Sequence, residues 1–137
     1  MPKIILVASR LKPGLKLDLE RAGFKLVMLS HSTCDIAIIP DICREQTING
    51  IVIEVPPLPM LCARLLPIID LINFLPPILM ITYFAYLPNR MGGDEAKLCE
   101  LLKTVSAIKN IDFTIFSHMT LRQRADIYNE LFLTPCV

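Results

Sequence analysis

Five short runs of branched and apolar residues recur along the chain, and the stretches between them carry apolar residues at helical spacing. The runs are KIILVAS from Lys3, FKLVMLS from Phe24, GIVIEV from Gly50, PILMITYF from Pro77 and IDFTIFS from Ile111. Runs this short, with little polar alternation, suit strands covered on both faces, the condition of a parallel sheet. A helix between two strands carries the chain back across the sheet, so each following strand enters parallel to the last. The pattern predicts an α/β architecture: a doubly wound parallel five-stranded sheet with helices on both faces.

The connecting segments differ in clarity. RLKPGLKLDLERAG places Leu15, Leu19 and Ala22 on one helical face and ends on Gly23, a natural C-cap. DEAKLCELLKTVSAIKN carries an apolar stripe of Leu98, Leu101, Leu102, Val105 and Ile108 behind Asp94 as N-cap, and the preceding Gly92 and Gly93 read as a turn. TLRQRADIYNELF sets Leu121, Ala125, Tyr128 and Phe132 on one side. PMLCARLLPIIDLINF reads as an apolar helix kinked at Pro67. In HSTCDIAIIPDICREQTI, Pro40 bars a helix running straight through; the reading is an extended DIAII and then a short helix from Asp41 to Thr47.

A length of 137 residues fits a single domain, residues 1–137, able to bury a core. With 53% apolar and 20% charged residues the chain is expected to fold, and a formal net charge of +1 makes no electrostatic case for nucleic acid. The five cysteines, Cys34, Cys43, Cys62, Cys99 and Cys136, form no C-x-x-C pair, and His31 and His118 stand far apart. They are read as reduced, mostly buried thiols in a cytoplasmic protein, with no metal site. The apolar run at the start is too short for a secretion signal. Leu71 to Asn89 is free of charge and near bilayer-spanning length, but Pro76 and Pro77 would break a helix there. A helix end, a turn and a buried strand explain it, so no membrane contact is expected.

In open α/β sheets the site lies beyond the carboxyl ends of the strands. The residues to weigh are Ala8, Ser9, Ser30, Glu54, Val55, Thr82, Ser117 and His118, with Glu54 the only carboxylate among them. One glutamate offers too few oxygens for a divalent cation, and no G-x-S-x-G, G-x-G-x-x-G or Walker loop is present. No catalytic residue and no cofactor are assigned on this basis.

The layout resembles the receiver domain of bacterial two-component response regulators, which has a flavodoxin-like fold. KIILVASRLKPGLKLDLERAGFKL is similar to the receiver opening of strand, loop, helix and second strand. GIVIEVPPLP resembles the strand that ends in the phosphoaccepting aspartate, and PPILMITYF the strand that ends in a phosphate-contacting threonine. The resemblance makes Glu54 the equivalent of the phosphoacceptor and Thr82 the equivalent of the threonine. Ala8 and Ser9 stand where receivers keep the acidic pair that holds magnesium. Ser117 or His118 replaces the lysine after the last strand.

These departures imply a degenerate, or pseudo-, receiver without phosphotransfer, acting through protein–protein contact. Glu54 then reads either as a strand end turning to solvent or as fixed negative charge where aspartyl phosphate would sit. The resemblance implies a homodimer through residues 94–132, with Lys97, Lys103, Phe113, Phe116, Arg122 and Arg124 at the contact surface. As a general property of the sequence, Arg122 and Arg124 read as a solvated helix face. The alternative is a small flavodoxin-like enzyme or ligand-binding protein using the strand-end crevice lined by Ala8, Ser9, Thr82, Ser117 and His118.

Overall fold

A computed structural model of the protein describes residues 2–8, 14–55, 61–72, 76–82, 100–101, 103–104, 111–115 and 119–133. Five strands form one sheet: β1 (Lys3–Val7), β2 (Lys25–Leu29), β3 (Gly50–Glu54), β4 (Ile78–Thr82) and β5 (Asp112–Ile115). Their order is β2-β1-β3-β4-β5, and all four neighbouring pairs are parallel. This is the flavodoxin-like α/β fold, with the chain reversing its direction of travel between β1 and β3. The helices are α1 (Gly14–Arg21), α2 (Thr33–Ala37), α3 (Ile39–Glu45), a π-helical segment Leu61–Leu65 leading into α4 (Leu66–Ile69), and α5 (Leu121–Phe132).

Successive strand residues point to opposite faces, and the apolar runs supply both. Ile5, Val7, Ile51, Ile53, Ile78 and Met80 join a buried cluster with residues of α2, α3 and the segment from Leu61 to Ile69. Ile4, Leu6, Val52, Leu79 and Ile81 join a second cluster with Leu15 and Leu19 of α1 and Tyr128 and Phe132 of α5. Gly50 opens β3 where the Phe132 ring presses on the backbone: a Cβ built there would lie 2.1 Å from a ring carbon.

Local signals explain where elements begin and stop. Gly23 sits at φ 94°, in the left-handed region that glycine enters without strain. Its N–H bonds to Glu20 O at 3.0 Å and the Phe24 N–H to Leu19 O at 3.1 Å, the paired bonds of a Schellman ending. Thr120 and Gln123 close a capping box at the start of α5: Thr120 N–H donates to Gln123 Oε1 at 2.8 Å, and Gln123 N–H to Thr120 Oγ1 at 3.2 Å. The two helices of the second cluster are tied by Arg124. Its Nε lies 2.5 Å from Asp18 Oδ2, its Nη2 3.2 Å from Asp18 Oδ1, and its Nη1 donates to Met119 O at 3.0 Å.

Several expectations need correction. DIAII is not extended: α2 covers Thr33–Ala37 and α3 starts at Ile39, before the expected Asp41. Pro40 falls in the first turn of α3, where a missing N–H costs nothing because those donors have no intrahelical acceptor. Ser32 caps α2 by accepting from the Asp35 N–H at 3.2 Å, a signal within the letters HSTCD. Pro67 is accommodated by a change in winding, π-helical up to Leu65 and α-helical from Leu66. Leu121 is exposed, so the buried side of α5 rests on Tyr128 and Phe132. Arg124 is turned inward to Asp18 and is not a solvated helix-face residue, whereas Arg122 is exposed. Cys34 and Cys62 are exposed free thiols and Cys43 is half-buried.

Most of the helix expected over 94–110 lies outside the described residues; Glu100, Leu101, Lys103 and Thr104 are helical. No helix among the described residues is long and apolar enough to cross a membrane, and residues 78–82 of the uncharged stretch form β4.

Candidate functional site

Of the positions weighed at the strand ends, Ala8, Ser30, Glu54, Val55 and Thr82 are among the described residues. Ala8 follows β1, is buried, and donates its N–H to Leu29 O at 3.1 Å. Glu54 closes β3, and Thr82 closes β4. Ser9, Ser117 and His118 lie outside the described residues, as do Lys97 and Phe116 of the expected contact surface.

The register gives Glu54 its surroundings. Val7 pairs with Ile53, so Ala8 and Glu54 come level at the ends of β1 and β3. Ala8 shares a cluster with Ile4 and Leu6, and Val52 belongs to the same cluster, so alternation sends Glu54 to that side. The β4 partner of Glu54 is Ile81, again of that cluster, and Thr82 stands one position beyond. The carboxylate therefore leaves the sheet between an alanine and an isoleucine. Its Oε2 is buried without a hydrogen-bond partner among the described residues. Glu54 is partly buried, not a strand end turned fully to solvent.

His31 joins this neighbourhood and was absent from the expected set. Its Nε2 lies 2.6 Å from the Glu54 carbonyl oxygen. A carbonyl oxygen only accepts, so Nε2 carries the hydrogen. The contact ties the turn after β2 to the end of β3. Beside it, the N–H and Oγ of Ser30 both donate to Asp35 Oδ2, at 2.7 and 2.8 Å, and the Ser32 N–H donates to Ser30 Oγ at 3.2 Å. The only forward signal for this network is the Ser-x-x-Asp cap; a lone histidine two residues after a strand carries no spacing that marks a contact.

Chemically, the described rim holds the Glu54 carboxylate with apolar flanks, the His31 imidazole engaged with backbone, and Ser30 engaged with the Asp35 carboxylate. Among the described residues no group of three or more His, Cys, Asp or Glu is placed to hold a metal ion.

At the expected contact surface, Lys103 and Arg122 are exposed, and Phe113 is partly buried against the first cluster. A cavity of about 230 Å³ beside the edge strand β5 is lined by Phe113, Thr114, Ile127, Glu130 and Leu131, among others. No protein-family model and no curated protein matches the chain.

Proposed function

We propose that the protein is a receiver-like signalling domain that has lost phosphotransfer and acts by contact with another protein, a second copy of itself through residues 94–132 being the first candidate. The observation that carries this reading is Glu54 at the carboxyl end of the central strand of a flavodoxin-like sheet, level with Ala8 and not with an acid. A hard divalent cation wants six or so oxygens, several from carboxylates, and Glu54 alone does not provide them. Without the cation the negative charge that builds up during phosphoryl transfer has no counter-charge. A permanent carboxylate at that position supplies part of the charge of an aspartyl phosphate without being switched by a kinase.

For contact with a partner, β5 is an edge strand, and Arg122 on α5 projects to solvent. Three described cysteines are free thiols, in keeping with a reducing cytoplasmic setting. Acetyl phosphate with magnesium, followed by intact-mass measurement, should leave the mass unchanged, and sedimentation should find a dimer that Arg122→Glu weakens about tenfold. A magnesium-dependent phosphoryl adduct on Glu54 would overturn the loss of phosphotransfer. A monomer insensitive to that substitution would overturn the homodimer.

A further inference from the structure

Two cavities lie along the line where α2 and α3 face the segment from Leu61 to Ile72, with volumes of about 220 and 570 Å³. Ala37 lines both, so the two cavities adjoin there and are taken together as a groove. The wall formed by α2 and α3 offers Thr33, Ile36, Ala37, Pro40 and Arg44. The opposite wall offers Arg64, Pro67, Ile68, Leu71 and Ile72. Across the two helices the reach from Thr33 to Arg44 is at most about 16 Å of helical rise. The larger cavity falls within the ~300–1,000 Å³ of small-molecule sites.

The charges at the two ends are unlike. At the Thr33 end, Arg64 is exposed and makes no ion pair or hydrogen bond among the described residues. At the other end, Arg44 is already paired with Asp41, so that end carries no surplus charge to hold an anion. Between them the walls are mostly apolar, and Leu71, in the turn after α4 at the rim of the larger cavity, is 65% exposed.

We infer that this groove binds a medium-chain alkyl carboxylate, with the carboxylate on Arg64 and Thr33 and the chain running along Pro67 and Ile68 to Leu71. At ~1.3 Å of advance per carbon, set by the 1.52 Å bond and its zigzag, a chain of about 12 carbons spans the groove. An unpaired guanidinium fits a carboxylate bidentately, which selects the anion over an alcohol or ammonium of equal length. The inference stands apart from the receiver-like reading and survives its failure.

Cys43 lines the larger cavity and serves as a built-in reporter, while Cys34 and Cys62 are exposed and not among the lining residues. Burial pushes the Cys43 thiol up, so alkylation is best followed at mildly alkaline pH. Dodecanoate below its micellar concentration, at ten times its dissociation constant, should slow iodoacetamide labelling of Cys43 about tenfold, read peptide by peptide, and leave Cys34 and Cys62 unchanged. Removing two carbons should weaken binding about tenfold. Arg64→Gln should weaken dodecanoate about tenfold, and Leu71→Asp should abolish protection; both sites are exposed, and circular dichroism confirms that the variants fold. Equal protection by dodecyltrimethylammonium, binding undiminished in either variant, or no protection at any chain length would overturn the assignment. Protection by an acidic amphipathic peptide but not by dodecanoate would give the groove to a protein partner and overturn it equally.

Discussion

Glu54 ends a strand whose other four residues are buried, and its Oε2 is shut in beside Ala8 and Ile81 without a donor. A polar atom in that position forgoes hydration without a compensating hydrogen bond, which costs the folded state. Glu54→Met, which fills similar space with apolar atoms, should raise the unfolding free energy by about 1 kcal/mol in urea titrations. A loss of stability would mean that the carboxylate has a donor. The position of Glu54 was legible because it is the only acid among the residues expected at the carboxyl ends of the strands. Its fine setting was not. Sequence spacing puts Glu54 and Thr82 28 residues apart, but the ladder pairs Glu54 with Ile81 and leaves Thr82 one step beyond. Strand register is set by pairing between strands, which no single run reveals. His31 was missed for a similar reason, since its partner is a backbone oxygen 23 residues away.

At the scale of elements, the five strands were legible because an apolar run buried on both faces looks the same whichever strand lies beside it. Helix α1 was legible from its apolar stripe and the Gly23 cap, and α5 from Tyr128 and Phe132, while its Thr120 cap went unread and Leu121 was misplaced. The α2–α3 pair was misread because a proline forbids the middle of a helix and favours its first turn, and the letters alone do not say which turn Pro40 occupies. Arg124 was misread because its partner, Asp18, lies on the first helix of the chain. That pair joins α1 to α5 with 24% and 11% of the two side chains exposed, so it is neither a surface bridge nor a fully dry one. Arg124→Met should cost about 2 kcal/mol, because Asp18 stays behind with its charge half-desolvated. Adding Asp18→Asn should recover about half of that loss, a coupling that a double-mutant cycle in denaturant measures. Additive effects would mean the pair contributes nothing beyond its separate side chains.

For the whole molecule, two apolar clusters on a parallel five-stranded sheet set the strand ends at one rim, where Ala8, Glu54 and the His31 turn meet. A fold of this kind hosts many activities, so the function rests on the rim and not on the topology. On the proposed receiver-like reading, the rim combines a carboxylate at the phosphoacceptor-equivalent position with an apolar residue where a magnesium ligand would be needed. The central claim is that this site no longer takes magnesium or a phosphoryl group. Amide nuclear magnetic resonance of the protein, titrated first with magnesium and then with beryllofluoride, tests it most directly. The account predicts that the amides of Ala8, Glu54, Val55 and His31 keep their positions through both additions. Saturable, magnesium-dependent shifts centred on Glu54 would contradict it.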